Sequence, residues 1–176
     1  MFNTEGRCAA MGNFDVSSYC DAIQMLLNEH PPLVARIHKL AEGAKWLDDA
    51  ADGQWNEGIQ GLCEQEASFR IDLEIHSAKE EEGLFPVLGR HIGTQQGPIA
   101  VMEWEHSEAK RLLSAFEGQI KHREQAGEAA ASLLGACETL LSHFAKEENV
   151  LFPMAQKILS EQEKEALWGL LQNKQL

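Results

Sequence analysis

His76-Ser-Ala-Lys-Glu80-Glu-Glu-Gly-Leu-Phe-Pro86 recurs as His143-Phe-Ala-Lys-Glu147-Glu-Asn-Val-Leu-Phe-Pro153, with eight of eleven positions identical. Each copy carries a His and a Glu four residues apart. On a helix that spacing is about 400° of turn, so the two side chains lie about 40° apart in azimuth and about 6 Å apart along the axis. An imidazole and a carboxylate on one face, supplied by two helices, are the parts of a metal site inside a bundle. Duplication predicts a two-fold site.

Outward from the repeat the chain is helical in pattern almost throughout. Strand-like alternation is absent, Val is scarce, and Ala, Leu, Glu, Gln and Lys dominate. The pattern predicts four long helices, from about Ser17 to Asp49, Asn56 to Arg90, Pro98 to Arg123 and Ala126 to Leu159. Gly93-Thr-Gln-Gln-Gly-Pro98 is a break, with Pro98 suited to the first helical position. Ser160-Glu-Gln-Glu163 reads as a capping box that opens a short fifth helix through about Asn173, with Leu167, Leu170 and Leu171 as its apolar stripe. Short links predict an all-α, up-down-up-down antiparallel four-helix bundle over residues 16–159. A short extra C-terminal helix (160–176) and an irregular N-terminal arm (1–15) complete a single domain over 1–176. Pro31-Pro32 should kink the first helix, while its stripe Ile23, Leu26, Leu27, Leu33, Val34, Ile37 stays in phase across them. The Gly-, Asp- and Trp-rich stretch Gly43–Gly58 reads as an inserted loop, because His30 to His76 is 46 positions and His106 to His143 is 37.

A chain of 176 residues with 44% hydrophobic and 24% charged residues is ordinary for a globular domain that buries a core without staples. Its net charge of −13 argues against nucleic acid or an anionic membrane as partner. No apolar run is long enough to span a bilayer and the start has no signal-like apolar segment, so a cytoplasmic location is expected. The four cysteines Cys8, Cys20, Cys63 and Cys137 show no CxxC spacing and suit a reducing compartment as free thiols.

Phase analysis places the repeated pairs inward. The positions sharing a face with His76 are Leu62, Phe69, Leu73, Glu80 and Leu84, and those sharing one with His143 are Ala136, Leu140, Glu147, Leu151 and Met154. His106 is in phase with Ile99, Met102, Ala109 and Leu113, and His30 is centred in the first helix's stripe. Four helices therefore carry one core-facing His each, and two add a Glu. A buried carboxylate costs several kcal/mol unless paired or metal-bound. With no Arg in the inner stripes to answer them, two such carboxylates point to a metal. The repeat has a second level: His30 and His106 each follow a Glu, in Asn28-Glu29-His30 and Trp104-Glu105-His106.

Over residues 20–158, the paired HxxxEExxLFP segments with the two preceding Glu-His pairs resemble the hemerythrin-like, or HHE cation-binding, proteins. The resemblance implies a four-helix bundle holding a non-haem di-iron centre, two iron ions with an oxo or hydroxo bridge. The implied ligands are His30, His76, His106 and His143, with Glu80 and Glu147 as bridging carboxylates. Manganese or zinc would also accept such a donor set. Oxygen-carrying hemerythrins have a second His one turn along the third helix, where this chain has Lys110. Four His and two Glu look more like the di-iron proteins that repair damaged iron centres. That count would leave each metal one open position, suited to O2, peroxide or nitric oxide, with an electron-donor protein as a further partner.

Helix three breaks the two-fold pattern. Glu103 and Lys110 flank His106 where the first helix has Leu27 and Val34. Lys110 is either a hydrogen-bond donor close to the open metal position or a lysine whose stem packs and whose head reaches solvent. Glu103, whose Glu103-x-x-His106 spacing echoes the ExxH of ferritin-type di-iron bundles, is either a further residue supporting the metal site or a salt-bridge or rim residue. His38 is the alternative first-helix ligand, and His91 and His122 fall near helix ends. Glu81 and Glu148, turned about 100° from the bridging pair, face the surface or support a ligand. Leu84, Phe85, Leu151 and Phe152 should close the hydrophobic end. Two function classes follow: a di-iron protein that binds, senses or reacts with O2, peroxide or NO, and an oxidoreductase or iron-donating repair protein. A metal-free bundle is the third reading.

Overall fold

High helix propensity and apolar stripes at helical spacing set the architecture. The computed structural model describes residues 16–49 and 52–173, so the arm expected over 1–15 lies outside the described residues. Seven α-helical segments follow in order: α1 Asp21–Asp49, α2 Asp52–Lys79, α3 Phe85–Ile92, α4 Pro98–Gln119, α5 Ala126–Lys146, α6 Phe152–Ile158 and α7 Glu161–Gln172. Single π-helical turns, Glu80–Leu84 and Glu147–Leu151, join α2 to α3 and α5 to α6, so that each pair forms one long rod. The result is an all-α helical bundle with no strand among the described residues. None of the described helices is long and apolar enough to cross a membrane.

Cross-helix contacts fix the directions. Glu29 meets His76 while Arg36 meets Asp72, and His30 meets Glu148 while Cys137 Sγ meets the Ile37 carbonyl. Partner numbers fall as α1 numbers rise, so α1 runs antiparallel to both α2 and the α5–α6 rod. Ser132 bonded to Gln119 and His143 facing His106 make α4 and α5 antiparallel in the same way. The up-down order follows.

One departure from the expected pattern has its cause in the packing. The stretch 43–58 is helix on both sides of residues 50–51 rather than an inserted loop. Gly43 and Gly58 within it serve close packing: a Cβ on Gly58 would overlap Trp46 Cη2, and one on Gly43 would fall 2.5 Å from Leu62 Cδ1. Ala44, Leu47 and Trp55 are buried there, so the added residues lengthen the core instead of leaving it. α1 runs as one helix through Pro31 and Pro32, in keeping with the apolar stripe that stays in phase across them. In the terminal helix, opened by the capping box of Ser160 and Glu163, Leu167 and Leu171 are buried, whereas Leu170 is exposed and Trp168 takes up part of the packing. α7 covers the first π turn, where a Cβ on Gly83 would fall 2.8 Å from Leu171 Cδ2.

The π turns explain the Leu-Phe-Pro ends of the repeat. Pro86 and Pro153 lack an N–H and crowd the carbonyl four residues back, which blocks regular continuation of the α ladder. The preceding Phe N–H reaches five residues back instead, Phe85 to Glu80 O and Phe152 to Glu147 O. The inserted residue shifts the helix phase, so Phe85 and Phe152 turn inward beside Leu84 and Leu151, all four fully or nearly fully buried. Apolar side chains lie in two clusters, one built around Ile37, Phe69, Phe116 and Leu133, the other around Ile23, Leu88, Ile99 and Phe152. A polar layer separates them.

Candidate metal centre

That layer contains His30 from α1, His76 from α2, His106 from α4 and His143 from α5, with Glu80 and Glu147 at the starts of the two π turns. All six are buried, the two Glu completely. Their donor atoms fall into two groups, His30–His76–Glu80–Glu147 and His106–His143–Glu80–Glu147, and within each the atoms lie within 4.8 Å of one another. The two carboxylates belong to both groups. Glu80 Oε2 is 3.5 Å from His76 Nε2 and 3.4 Å from His106 Nε2. Glu147 reaches His30 Nε2 at 3.4 Å through Oε2 and His143 Nε2 at 3.1 Å through Oε1.

An outer ring orients the imidazoles. Each His places Nδ1 against a carboxylate from a neighbouring helix: His30 on Glu148 at 2.8 Å, His76 on Glu29 at 2.8 Å, His106 on Glu81 at 2.8 Å and His143 on Glu105 at 3.3 Å. An ionised carboxylate only accepts, so Nδ1 carries the proton and Nε2 turns a lone pair inward. Lys79 pairs with Glu29 and Lys146 with Glu105. Aromatic rings complete the shell. Phe85 lies 5.7 Å from His106 and Phe152 lies 5.5 Å from His30, while Phe144 is 4.4 Å from His30.

The inner atoms are short of positive charge. His30 Nε2, His76 Nε2 and all four oxygens of Glu80 and Glu147 are buried without a hydrogen-bond partner. His106 Nε2 and His143 Nε2 face each other at 2.9 Å. With both rings neutral in the tautomers set by the outer ring, that contact opposes two lone pairs, which a proton or a cation between them relieves. Burial alone would hold His30 and His106 low, but the carboxylates around them, Glu147 and Glu148 for one and Glu80 and Glu81 for the other, carry both up to about 9. Burial and the neighbouring charge of Glu147 push Glu80 up, whereas the burial of Glu147 is outweighed by His143 and His30, which keep it ionised. Cations among the Nε2 and carboxylate atoms would supply the missing charge. The spacing agrees, since donors about 2.1 Å from an ion and at right angles to each other lie about 3.0 Å apart.

The residues flanking His106 fall outside this layer. Glu103 is exposed, and Lys110 is 47% exposed with Nζ 3.0 Å from Glu81 Oε1. Lys110 thus reaches the carboxylate behind His106 rather than the inner space. His38 is exposed and remote from the cluster, His91 pairs with Glu163, and His122 with Glu124. Glu29, Glu105, Lys79 and Lys146 have roles that helix phase alone did not assign. Their signal was present all the same: a Glu stands directly before both His30 and His106, and the Lys stands in both repeats.

The chain matches the hemerythrin HHE cation binding domain over residues 21–161. It is similar to the iron-sulfur cluster repair protein YtfE of Escherichia coli O157:H7, with 34% identity over 104 residues that cover 54% of this chain and 47% of that protein. The proteins of the same description from Escherichia coli strain K12 / DH10B and from Shigella boydii serotype 18 match to the same extent. The chain therefore spans about half the length of the curated relatives it matches. No solved structure matches it.

Proposed function

The chain belongs to the hemerythrin HHE cation-binding family, and from that premise we propose that it is a di-iron protein reacting with O2, peroxide or NO. His30 and His76 would hold one iron and His106 and His143 the other, with Glu80 and Glu147 shared between them. The observation that carries this reading is the set of buried inward donor atoms without partners, arranged as two groups that share two carboxylates. Imidazole and carboxylate donors suit both iron(II) and iron(III), and a pair of such ions supplies two-electron redox chemistry. The protein's own contribution is orientation and exclusion of water. Four carboxylates fix the imidazole tautomers, and Phe85, Phe144 and Phe152 keep the layer dry on its apolar sides.

A second reading, donation of iron to damaged iron-sulfur centres, is favoured by what the similar proteins are called. Anaerobic purification with metal analysis and Mössbauer spectroscopy tests the shared premise, and two coupled irons per chain are expected. Less than one metal per chain after growth with iron, with stability unchanged in chelator, would reject both readings. Adding O2, peroxide or NO and following the visible spectrum separates reversible binding from turnover. Reconstitution of an apo-ferredoxin with sulfide, using the loaded protein as the only iron source, tests donation.

A further inference from the structure

The outer carboxylates are matched in pairs by the two-fold repeat, except in one respect. Glu29 meets Lys79 and Glu105 meets Lys146, one such pair in each half. Glu81 accepts from Lys110 through the same Oε1 that faces His106. Glu148, which faces His30, has no lysine or arginine within ion-pairing distance among the described residues. The cause is visible in the sequence. One turn after His106 stands Lys110, and one turn after His30 stands Val34, whose side chain packs on the core instead.

We infer that the two metal positions are unequal, that the His30–His76 position takes the first divalent cation, and that Lys110 sets the difference. This rests on the reading that the cluster holds two cations. A carboxylate hydrogen-bonded to Nδ1–H raises the donor strength of Nε2, and an ammonium on the same oxygen draws that effect away. The other outer contacts are paired between the positions, though not identical: His76 meets Glu29 at 2.8 Å and His143 meets Glu105 at 3.3 Å. Glu80 and Glu147 are common to both, and Lys79 and Lys146 each pair with the carboxylate behind their own His, the first buried and the second 42% exposed. Phe85 on His106 answers Phe152 on His30. Phe144, whose counterpart is Ser77, is uncharged and borders histidines of both positions. One unneutralised carboxylate remains, behind His30. Loss of an outer partner commonly changes metal affinity about 10–100-fold, and screening of the half-exposed Lys110 reduces the expected preference to about three- to tenfold.

The test uses the full chain freed of metal and titrated anaerobically with iron(II), with crystals loaded at one equivalent and read by anomalous scattering at the iron edge. Wild type should favour the His30–His76 position by that factor. K110V should even the two occupancies, and K110R should restore the wild-type bias. V34K, which puts an amine one turn after His30, should even them from the other side. Lys110 is exposed, so the K110V and K110R arms stand whether or not V34K folds. Equal occupancy in wild type, or a K110V bias unchanged from wild type, overturns the inference while leaving the di-iron reading intact. Absence of iron from both positions overturns both.

Discussion

Replacing Glu80 by Met should raise the stability of the metal-free protein and lower that of the metal-loaded protein. Glu80 is fully buried, its two oxygens have no hydrogen-bond partner, and burial beside Glu147 makes its ionised form costly. A buried polar group without hydrogen-bond partners costs about 1–3 kcal/mol, and an apolar side chain of similar volume removes that cost. His76 and His106 stay behind and lose a neighbour, which places E80M at the low end, about 1–2 kcal/mol above wild type in chelator. For a domain of this size that is about 2–8 °C in Tm. Metal reverses the order. A ligand at one hundred times its Kd stabilises by about 2.7 kcal/mol, and a variant without the shared carboxylate forfeits most of it. E80M should then fall about 1 kcal/mol below wild type. Urea and thermal unfolding, each in EDTA and in anaerobic iron(II), read both differences. Metal-free E80M less stable than wild type, or E80M retaining two irons, would refute the reasoning, because Glu80 would then be a structural carboxylate and not a ligand.

Other consequences reach different parts of the molecule. Glu29→Gln should lower metal affinity about 10–100-fold by weakening the support of His76, as competition against a chelator of known affinity would show. Glu163 is held at about 2, against an ordinary 4.5, by the Ser160 backbone N–H, then His91 and the Ser160 hydroxyl. Its folded-state value is depressed, so its stabilisation is present above 4.5 and is lost as pH falls from 4.5 through about 2. Urea stability of Glu163→Gln should therefore lie below wild type at neutral pH and converge with it across that window. Gly58→Ala should destabilise the α1–α2 packing, since the new Cβ would meet the Trp46 ring. The overpacking cost of about 1–3 kcal/mol exceeds the gain of up to about 1 kcal/mol from helix propensity, and equilibrium unfolding measures the difference. Burial pushes Cys137 up to about 12, so alkylation of the native protein at pH 8, read by mass spectrometry, should mark half-buried Cys20 and spare Cys137 until the fold is opened.

What the sequence makes legible follows from how far a single helix can speak. Whether His76 and Glu80 share a face depends only on the turn of their own helix, and the apolar neighbours around them show which face is inside. The inward set His30, His76, Glu80, His106, His143 and Glu147 is of this kind, and the structure brings all six together. The lengths of α1 and α2 are less legible. Gly43 and Gly58 carry the composition of a loop, and only the facing Leu62 and Trp46 show that each glycine is a contact surface. Lys110 is in phase with the inner layer, yet its stem is long enough to carry the amine out to Glu81. Phase gives the direction of a Cα–Cβ bond, and for lysine that is a poor guide to the place of the charge.

The outer ring needed two helices at once, which is why its members look like surface residues in the sequence. Glu81 follows Glu80 and is turned away from its own helix's inner face, but the antiparallel neighbour brings His106 Nδ1 to it. The same logic accounts for seven of the eight positions shared by the two repeats. His and the first Glu face inward, and Lys neutralises the carboxylate behind its own His. The second Glu supports the His of another helix, Leu and Phe close the apolar side, and Pro forces the π turn that lets both do so. Such a segment tolerates few independent changes, because every residue addresses a different partner across the bundle. Lys110 sits outside the repeat and is under no such constraint. A change there alters one carboxylate behind one histidine and leaves the rest of the cluster in place, so a duplicated site can be made unequal without being rebuilt.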